Sequence, residues 1–194
     1  MRSLLLNTPL KTIVWQQFGA AINMLENALH ACPDQLWRDN IWDDPTDAPE
    51  YTEFWFIVFH VLFWTDLYLS GARQEDFSPP AAFIRGSLPE KPYTKEELQA
   101  YLEHFPQKGR TIFEALTDEK ADQHCEFPWG EQVRFGELQL YSMRHVQEQA
   151  SRLSLHLGKK GVAAPDWVAH AKNEPSGPPL VGCNKGLLTF RRDG

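Results

Sequence analysis

The spacing of hydrophobic residues predicts a long helix near the start of the chain. Between residues 9 and 31, apolar side chains recur every three or four positions, which is the period of an amphipathic α-helix. Pro9 suits the first turn of a helix, because the N–H that proline lacks would have no partner there. Cys32 and Pro33 end the segment, and the acidic stretch that follows, RDNIWDDPTDAPE, has the turn-forming composition of a connection.

A second segment, residues 51–70, is apolar on almost every side. This pattern predicts a helix that is surrounded by other helices rather than one that lies on a surface. Its Val, Ile, Phe and Trp residues also favour a β-strand, but a run of this length without a turn signal favours the helix. Gly71 ends the helix, and residues 72–92, which are rich in Pro and Gly, are predicted to form a long loop.

Two further helices are predicted in the second half of the chain. Thr94 and Glu97 have the spacing of a capping box at the start of the third helix. Its apolar stripe continues past Pro106 to about residue 116, so we expect a kink there rather than an end. Residues 118–134 are predicted to be a loop, and a fourth helix is predicted over residues 135–157.

Four long helices joined by loops predict an all-α fold. The simplest arrangement is an up-and-down four-helix bundle with long inter-helix loops over residues 1–157. Gly158 closes the fourth helix in this interpretation, and residues 158–194 form an irregular tail that packs on the bundle rather than a second domain. A chain of 194 residues suits one such domain.

Composition and charge exclude several classes of partner. The formal net charge is −7 and no basic block is present, so we expect no nucleic-acid binding. The most apolar run, residues 54–64, is about half the length that a bilayer crossing needs, so we expect no membrane span. The three cysteines are far apart and odd in number, which fits neither a disulfide framework nor a zinc motif and favours a reducing cytoplasm.

Polar residues interrupt the inward-facing stripe of the fourth helix. On a helical wheel, six residues of this helix fall within roughly 80° of one another. They are Leu138, Ser142, His145, Gln149, Leu153 and His156. A buried polar group without a partner costs about 1–3 kcal/mol, so these side chains need partners inside the bundle.

His60 is the candidate partner, because it lies in the middle of the apolar second helix. If the second and fourth helices are neighbours, then His60, His145 and Gln149 can converge on one divalent metal ion, although the neutral amide of Gln149 is a weak ligand. The alternative is a hydrogen-bond network among the same residues without a metal. The pattern of residues leaves both interpretations open.

Three segments resemble helices of the DinB-like family of bacterial four-helix bundles. The run FGELQLYSMRHVQEQASRL, preceded by FPWG, is similar to the last helix of that family. EFWFIVFHVLFWTDLYLSG is similar to its second helix, and TKEELQAYLEHFPQKGRTIFEALTDE to its third. The resemblance covers about residues 10–157. It implies a divalent metal (nickel, zinc or iron) held by three histidines; His60 and His145 match two of them, and Gln149 stands where the third would be.

The resemblance also implies a function and a cavity. It predicts a metal-dependent protein that acts on a small molecule or a thiol, either as a thiol-dependent S-transferase, in which the metal lowers the pKa of a bound thiol, or as a hydrolase-like enzyme. The alternative is a non-catalytic protein that has lost the metal site, with Gln149 in place of the usual histidine, and that binds a small molecule or is a dimeric stress-associated bundle. A third hypothesis is an interaction module, because bundles of this family often resemble homodimers, and a homodimer is expected here. No catalytic residue is assigned. The residues expected to line the cavity are Ser142, Phe56, Trp64 and Glu53, of which Glu53 has the alternative of a solvated residue near a helix start.

Overall fold

The structure, a computed structural model, describes residues 8–46, 48–85 and 87–172 of the chain. It is mostly helical, and the predicted helical class is confirmed. The helices are α1 (Thr8–Ala31), α2 (Phe54–Ser70), α3 (Lys95–Leu102), α4 (Phe105–Glu114), α5 (Asp118–Ala121) and α6 (Phe135–Lys159); two short strands, β1 (His124–Glu126) and β2 (Gln132–Arg134), and 3-10 turns at Asp34–Leu36 and Pro49–Thr52 complete the elements.

Helix α2 contributes much of the core. Fourteen of its residues are buried, including Phe59 and Phe63, which are fully enclosed. It packs against α6, α3 and α4, while α1 packs against α6 and α4. Burial on every side of α2 explains why its sequence lacks the polar face of a surface helix. In the part of the chain that the structure describes, none of the helices combines the length and the apolar character needed to span a bilayer.

The third predicted helix is broken in two rather than kinked. The capping box of Thr94 and Glu97 is confirmed, with the Glu97 backbone N–H donating to Thr94 Oγ1 over 3.2 Å. Helix α3 then ends at Leu102, and α4 starts afresh at Phe105 with Pro106 in its first turn. Proline has no N–H to donate within a helix, so a new helix start tolerates it where a continuous helix would not.

The prediction of a loop over residues 118–134 is wrong. This stretch contains α5 and a hairpin in which β1 and β2 pair antiparallel, with Cys125 opposite Val133. Each strand has three residues with only the middle one buried, and such a pattern is too short to show an alternation in the sequence. Gly130, at a φ of 89°, supplies the turn.

The connection between α1 and α2 is held against the start of α2. Backbone hydrogen bonds join Trp55 N–H to the Trp37 carbonyl and Phe54 N–H to the Asp39 carbonyl, each over 3.0 Å. The Ile41 N–H donates to the carbonyl of Thr52 over 2.9 Å. These bonds fix the connection as an ordered layer, which places its side chains beside α2 and α6.

Residues 162–172, here called the strap, lie along α1. Helix α6 extends two residues beyond the predicted end, and Gly161, at a φ of 80°, terminates it instead of Gly158. Side-chain amides of α1 then hold the strap backbone: Gln17 donates to the Ala169 carbonyl over 3.2 Å and Asn27 to the Asp166 carbonyl over 2.8 Å. The rest of the predicted tail, residues 173–194, lies outside the described residues.

Candidate functional site

A cavity of about 240 Å³, here called cavity I, lies between α2, α6 and the connection that precedes α2. His60 on α2 and Gln149 on α6 both line it. Of the four residues that the sequence suggested for a cavity wall, Phe56 lines cavity I. The other lining residues include Trp42, Asp44, Tyr51, Thr52 and Arg152.

The structure brings the two candidate histidines together. The ring centroids of His60 and His145 are 5.2 Å apart, with the ring planes at 69°. This contact follows from the packing of α2 against α6 and from the position of His145 on the buried stripe of α6. Gln149 lies one helical turn after His145, so all three residues belong to the same junction of the two helices.

Burial keeps both imidazoles neutral. It lowers the pKa of His60 to about 3, with a smaller contribution from the neighbouring His145. Burial also lowers the pKa of His145, a shift to which Arg152 adds and which Glu148 opposes. A neutral imidazole has one N–H donor and one acceptor nitrogen, so the chemistry of this site depends on which nitrogen carries the proton.

Trp64 determines the tautomer of His60. Its indole Nε1–H donates to His60 Nδ1 over 3.2 Å, one helical turn along α2. Indole nitrogen is a donor only, so His60 Nδ1 must be the acceptor and the proton of the neutral ring must be on Nε2. Trp64, which was expected on the cavity wall, therefore contacts His60 from the side of its Nδ1 atom. His60 Nε2 is consequently a hydrogen-bond donor.

Three polar atoms on the stripe of α6 have no hydrogen-bond partner among the described residues. They are Ser142 Oγ, His145 Nδ1 and Gln149 Oε1, and each atom is buried. Leaving such atoms unpaired costs about 1–3 kcal/mol apiece. Native proteins usually satisfy groups of this kind with water, an ion or a ligand. A molecule bound at this site would therefore lower the free energy by forming hydrogen bonds with these three atoms.

Glu53 has a different place from the one suggested by the sequence. Its carboxylate accepts two hydrogen bonds from Arg38, over 3.0 and 2.9 Å, and one from Trp55 Nε1 over 2.5 Å. The residue is 7% exposed, and it holds the connection onto α2. Glu53 and Ser142 do not appear on the wall of cavity I.

Two residues of the wall received little weight from the sequence. Arg152 forms an ion pair with Glu148 and also borders cavity I. The guanidinium carbon of Arg152 lies 5.3 Å from the centroid of the Trp42 ring. Trp42 belongs to a connection without hydrophobic periodicity, so the only available signal was a large aromatic residue within a polar, acidic stretch.

The side chains present are a poor fit for a resident divalent metal. One observation favours a metal. When two imidazoles bind the same ion at about 2.1 Å, their ring centroids lie roughly 5 Å apart, and the centroids of His60 and His145 have this separation. Against it, His60 Nε2 carries a proton and Gln149 offers only a neutral amide oxygen. Within residues 8–46, 48–85 and 87–172, no cluster of three or more His, Cys, Asp or Glu side chains is arranged to hold a metal.

Comparisons with models of known protein families, with curated proteins and with solved structures find no match to this chain.

Proposed function

We propose that the protein is an up-and-down four-helix bundle of the DinB-like type in which cavity I binds a small polar molecule without a resident metal. The family assignment is supported by the quoted helix patterns, and by the packing of α2 against α6, which brings His60 near His145. The absence of a resident metal is supported by the hydrogen bond from Trp64 to His60 and by Gln149 in the third ligand position.

One observation carries the proposal: Gln149 lies on the wall of cavity I, and its amide oxygen has no partner among the described residues. A ligand that donates a hydrogen bond to this oxygen, after a small rotation of the amide, removes a cost of about 1–3 kcal/mol. His60 Nε2–H is a donor near the same cavity. A group that combines a donor and an acceptor, such as a carboxamide, matches this pair.

The size of cavity I limits the ligand. Its volume of about 240 Å³ is below the roughly 300–1,000 Å³ typical of pockets for drug-sized molecules. Aromatic side chains, Phe56 and Trp42, form part of the wall. We therefore favour a small ligand with one polar group and a compact apolar part.

A metal-dependent thiol transfer or hydrolysis is the second candidate function. The 5.2 Å separation of the His60 and His145 rings favours it, because this spacing suits two ligands of one ion. Metal binding through His60 Nε2 requires the ring proton to move to Nδ1 and the hydrogen bond from Trp64 to break. Each of these changes weakens metal affinity.

Two measurements test the proposal together. The first is elemental analysis of untagged protein purified without chelator, beside His60→Ala. We expect no stoichiometric metal in either protein; near-stoichiometric nickel, zinc or iron that disappears in His60→Ala would favour the second candidate and contradict the first.

The second measurement is ligand-observed NMR with acetamide, isobutyramide and benzamide. Gln149→Met keeps the shape of the side chain and removes its amide, and Gln147→Met makes the same change two residues away, outside cavity I. We expect binding of at least one amide to the natural protein and to Gln147→Met and a loss in Gln149→Met. Equal binding to both variants would show that cavity I is not the site.

A further inference from the structure

A second cavity, here called cavity II, continues from cavity I toward the end of α6. It has a volume of about 380 Å³. Trp42 and Arg152 line both cavities, so this pair forms the boundary between them. The remaining lining residues of cavity II are Ile41, Leu155, His156 and Lys159.

The polar residues that α6 contributes to the two cavities lie on one side of the helix. Gln149, Arg152, His156 and Lys159 are separated by three, four and three residues, the spacing that stacks side chains on one face of a helix. From Gln149 to Lys159 the distance along the axis is about 15 Å. The two cavities therefore lie next to each other along α6, and the connection before α2 borders both.

The ionisable residues that line cavity II are all basic. They are Arg152, His156 and Lys159, and none of the carboxylates within the described part of the chain lines the cavity. Arg152 is paired with Glu148, whereas Lys159 has no ion-pair partner among the described residues. The whole chain has a formal net charge of −7, so this local charge runs against the average of the molecule. A cavity lined in this way favours an anion.

His156 is held in a fixed position beside this cavity. It is 6% exposed, and its Nε2 atom lies 2.8 Å from Asp39 Oδ2. Lys160 Nζ is 2.7 Å from the same carboxylate oxygen. Because Lys160 offsets the charge of Asp39, the carboxylate orients His156 without adding a net negative charge next to the cavity.

The C-terminal end of α6 offers a simpler explanation for part of this arrangement. Cations in the last turn of a helix interact favourably with the helix dipole, and Lys159 is the last residue of α6. The dipole does not account for a buried His156 paired with Asp39. It also does not account for the apolar side chains of Ile41, Trp42 and Leu155 around the same space.

We infer that cavity II binds the anionic group, a carboxylate or a phosphate, of an organic molecule whose apolar part packs on Trp42 and Leu155. Lys159 supplies the unpaired charge, and Arg152 is close enough to both cavities to contact a ligand that extends from one to the other. The inference depends on the proposed function only for the part of such a ligand that enters cavity I.

The experiment uses anilinonaphthalene sulfonate, a fluorescent aromatic anion, titrated into the full-length protein. Lys159→Glu reverses the unpaired charge, and Lys91→Glu makes the same change in an exposed loop outside both cavities. An exposed charge pair is weak, but charge reversal both removes an attraction and adds a repulsion, so we expect roughly two- to 30-fold weaker binding in Lys159→Glu. Binding to Lys91→Glu should stay unchanged.

Competition and stability separate the possible outcomes. Displacement of the dye by inorganic phosphate but not by acetate identifies a phosphate site, and the reverse identifies a carboxylate site. If Lys159→Glu lowers the melting temperature but binds the dye as Lys91→Glu does, Lys159 serves only the helix dipole and the inference is overturned. Gln149→Met should retain dye binding, so a failure here leaves the amide test of cavity I unaffected.

Discussion

Replacing Trp64 with phenylalanine should increase the affinity of the protein for divalent metals. The indole N–H of Trp64 donates to His60 Nδ1, so that His60 Nε2 carries the proton. A metal that binds Nε2 needs the opposite tautomer, in which Nδ1–H would face the indole N–H. Trp64→Phe removes the indole N–H, so either ring nitrogen of His60 can carry the proton.

The magnitude follows from the groups involved. In the natural protein, metal binding through His60 Nε2 breaks one hydrogen bond and leaves two poorly solvated N–H groups unpaired, at a cost of about 1–3 kcal/mol. This cost corresponds to roughly a five- to 150-fold difference in Kd. The gain should be largest in Trp64→Phe combined with Gln149→His, because a third imidazole is a better ligand than an amide oxygen.

Isothermal titration of metal-free protein with nickel and zinc at pH 7.5 measures this effect. Trp37→Phe is the matched control, since Trp37 Nε1 donates to the Tyr93 carbonyl over 2.9 Å, away from the site. Any gained affinity must disappear when His60→Ala is added. The reasoning is refuted if Trp64→Phe and Gln149→His together bind metal no more tightly than Gln149→His alone.

Three further predictions concern stability. Because burial lowers the folded-state pKa of His60 to about 3, the unfolded chain protonates this imidazole first as the pH falls below about 6.5, and the unfolding free energy should decline by about 2–3 kcal/mol between pH 7 and pH 4.5. Urea unfolding should show a smaller decline in His60→Asn, and an equal decline would contradict the assignment. Glu53→Gln should lower the unfolding free energy by about 1–3 kcal/mol, since it removes the charge from a buried acceptor of three hydrogen bonds. The control Glu75→Gln, in an exposed ion pair, should change it by less than about 0.5 kcal/mol, and similar losses in both variants would argue against the role of Glu53. In Gly19→Ala the new Cβ would lie 2.6 Å from the Ala171 Cβ, so hydrogen exchange of residues 166–172 should accelerate even though alanine stabilises α1 itself by up to about 1 kcal/mol relative to glycine. Unchanged exchange would show that the strap tolerates the methyl group.

The long helices could be predicted from the sequence because three of them follow an apolar period of three to four residues, and α2 is a long apolar run without a turn signal. The errors arose where the determining interactions are short or non-local. Pro106 lies on a continuous apolar stripe, and only the backbone shows that this stripe passes from α3 to α4. The hairpin of β1 and β2 has too few residues for a pattern, and Gly161 rather than Gly158 takes the left-handed conformation that ends α6.

Part of the candidate site could also be predicted from the spacing of residues along the helices. The polar stripe on the fourth helix and the lone His60 in the second identified residues that the fold brings together. The sequence did not reveal that Trp64 sets the tautomer of His60, because that depends on a rotamer. It also did not place Trp42, which reaches the cavity through the hydrogen bonds of a connection. Homodimer formation and a cytoplasmic location stay predictions.

The strap has a consequence for the order in which the molecule is completed. Gln17 and Asn27 bind strap residues that are 152 and 139 positions later in the chain. During synthesis at about 5–20 residues per second, α1 emerges roughly 7–30 s before the strap does. Throughout that interval the amides of α1 face water or other proteins. A ribosome that stalls before residue 162 would therefore leave this face of α1 uncovered, available to a chaperone or protease that distinguishes unfinished chains from finished ones.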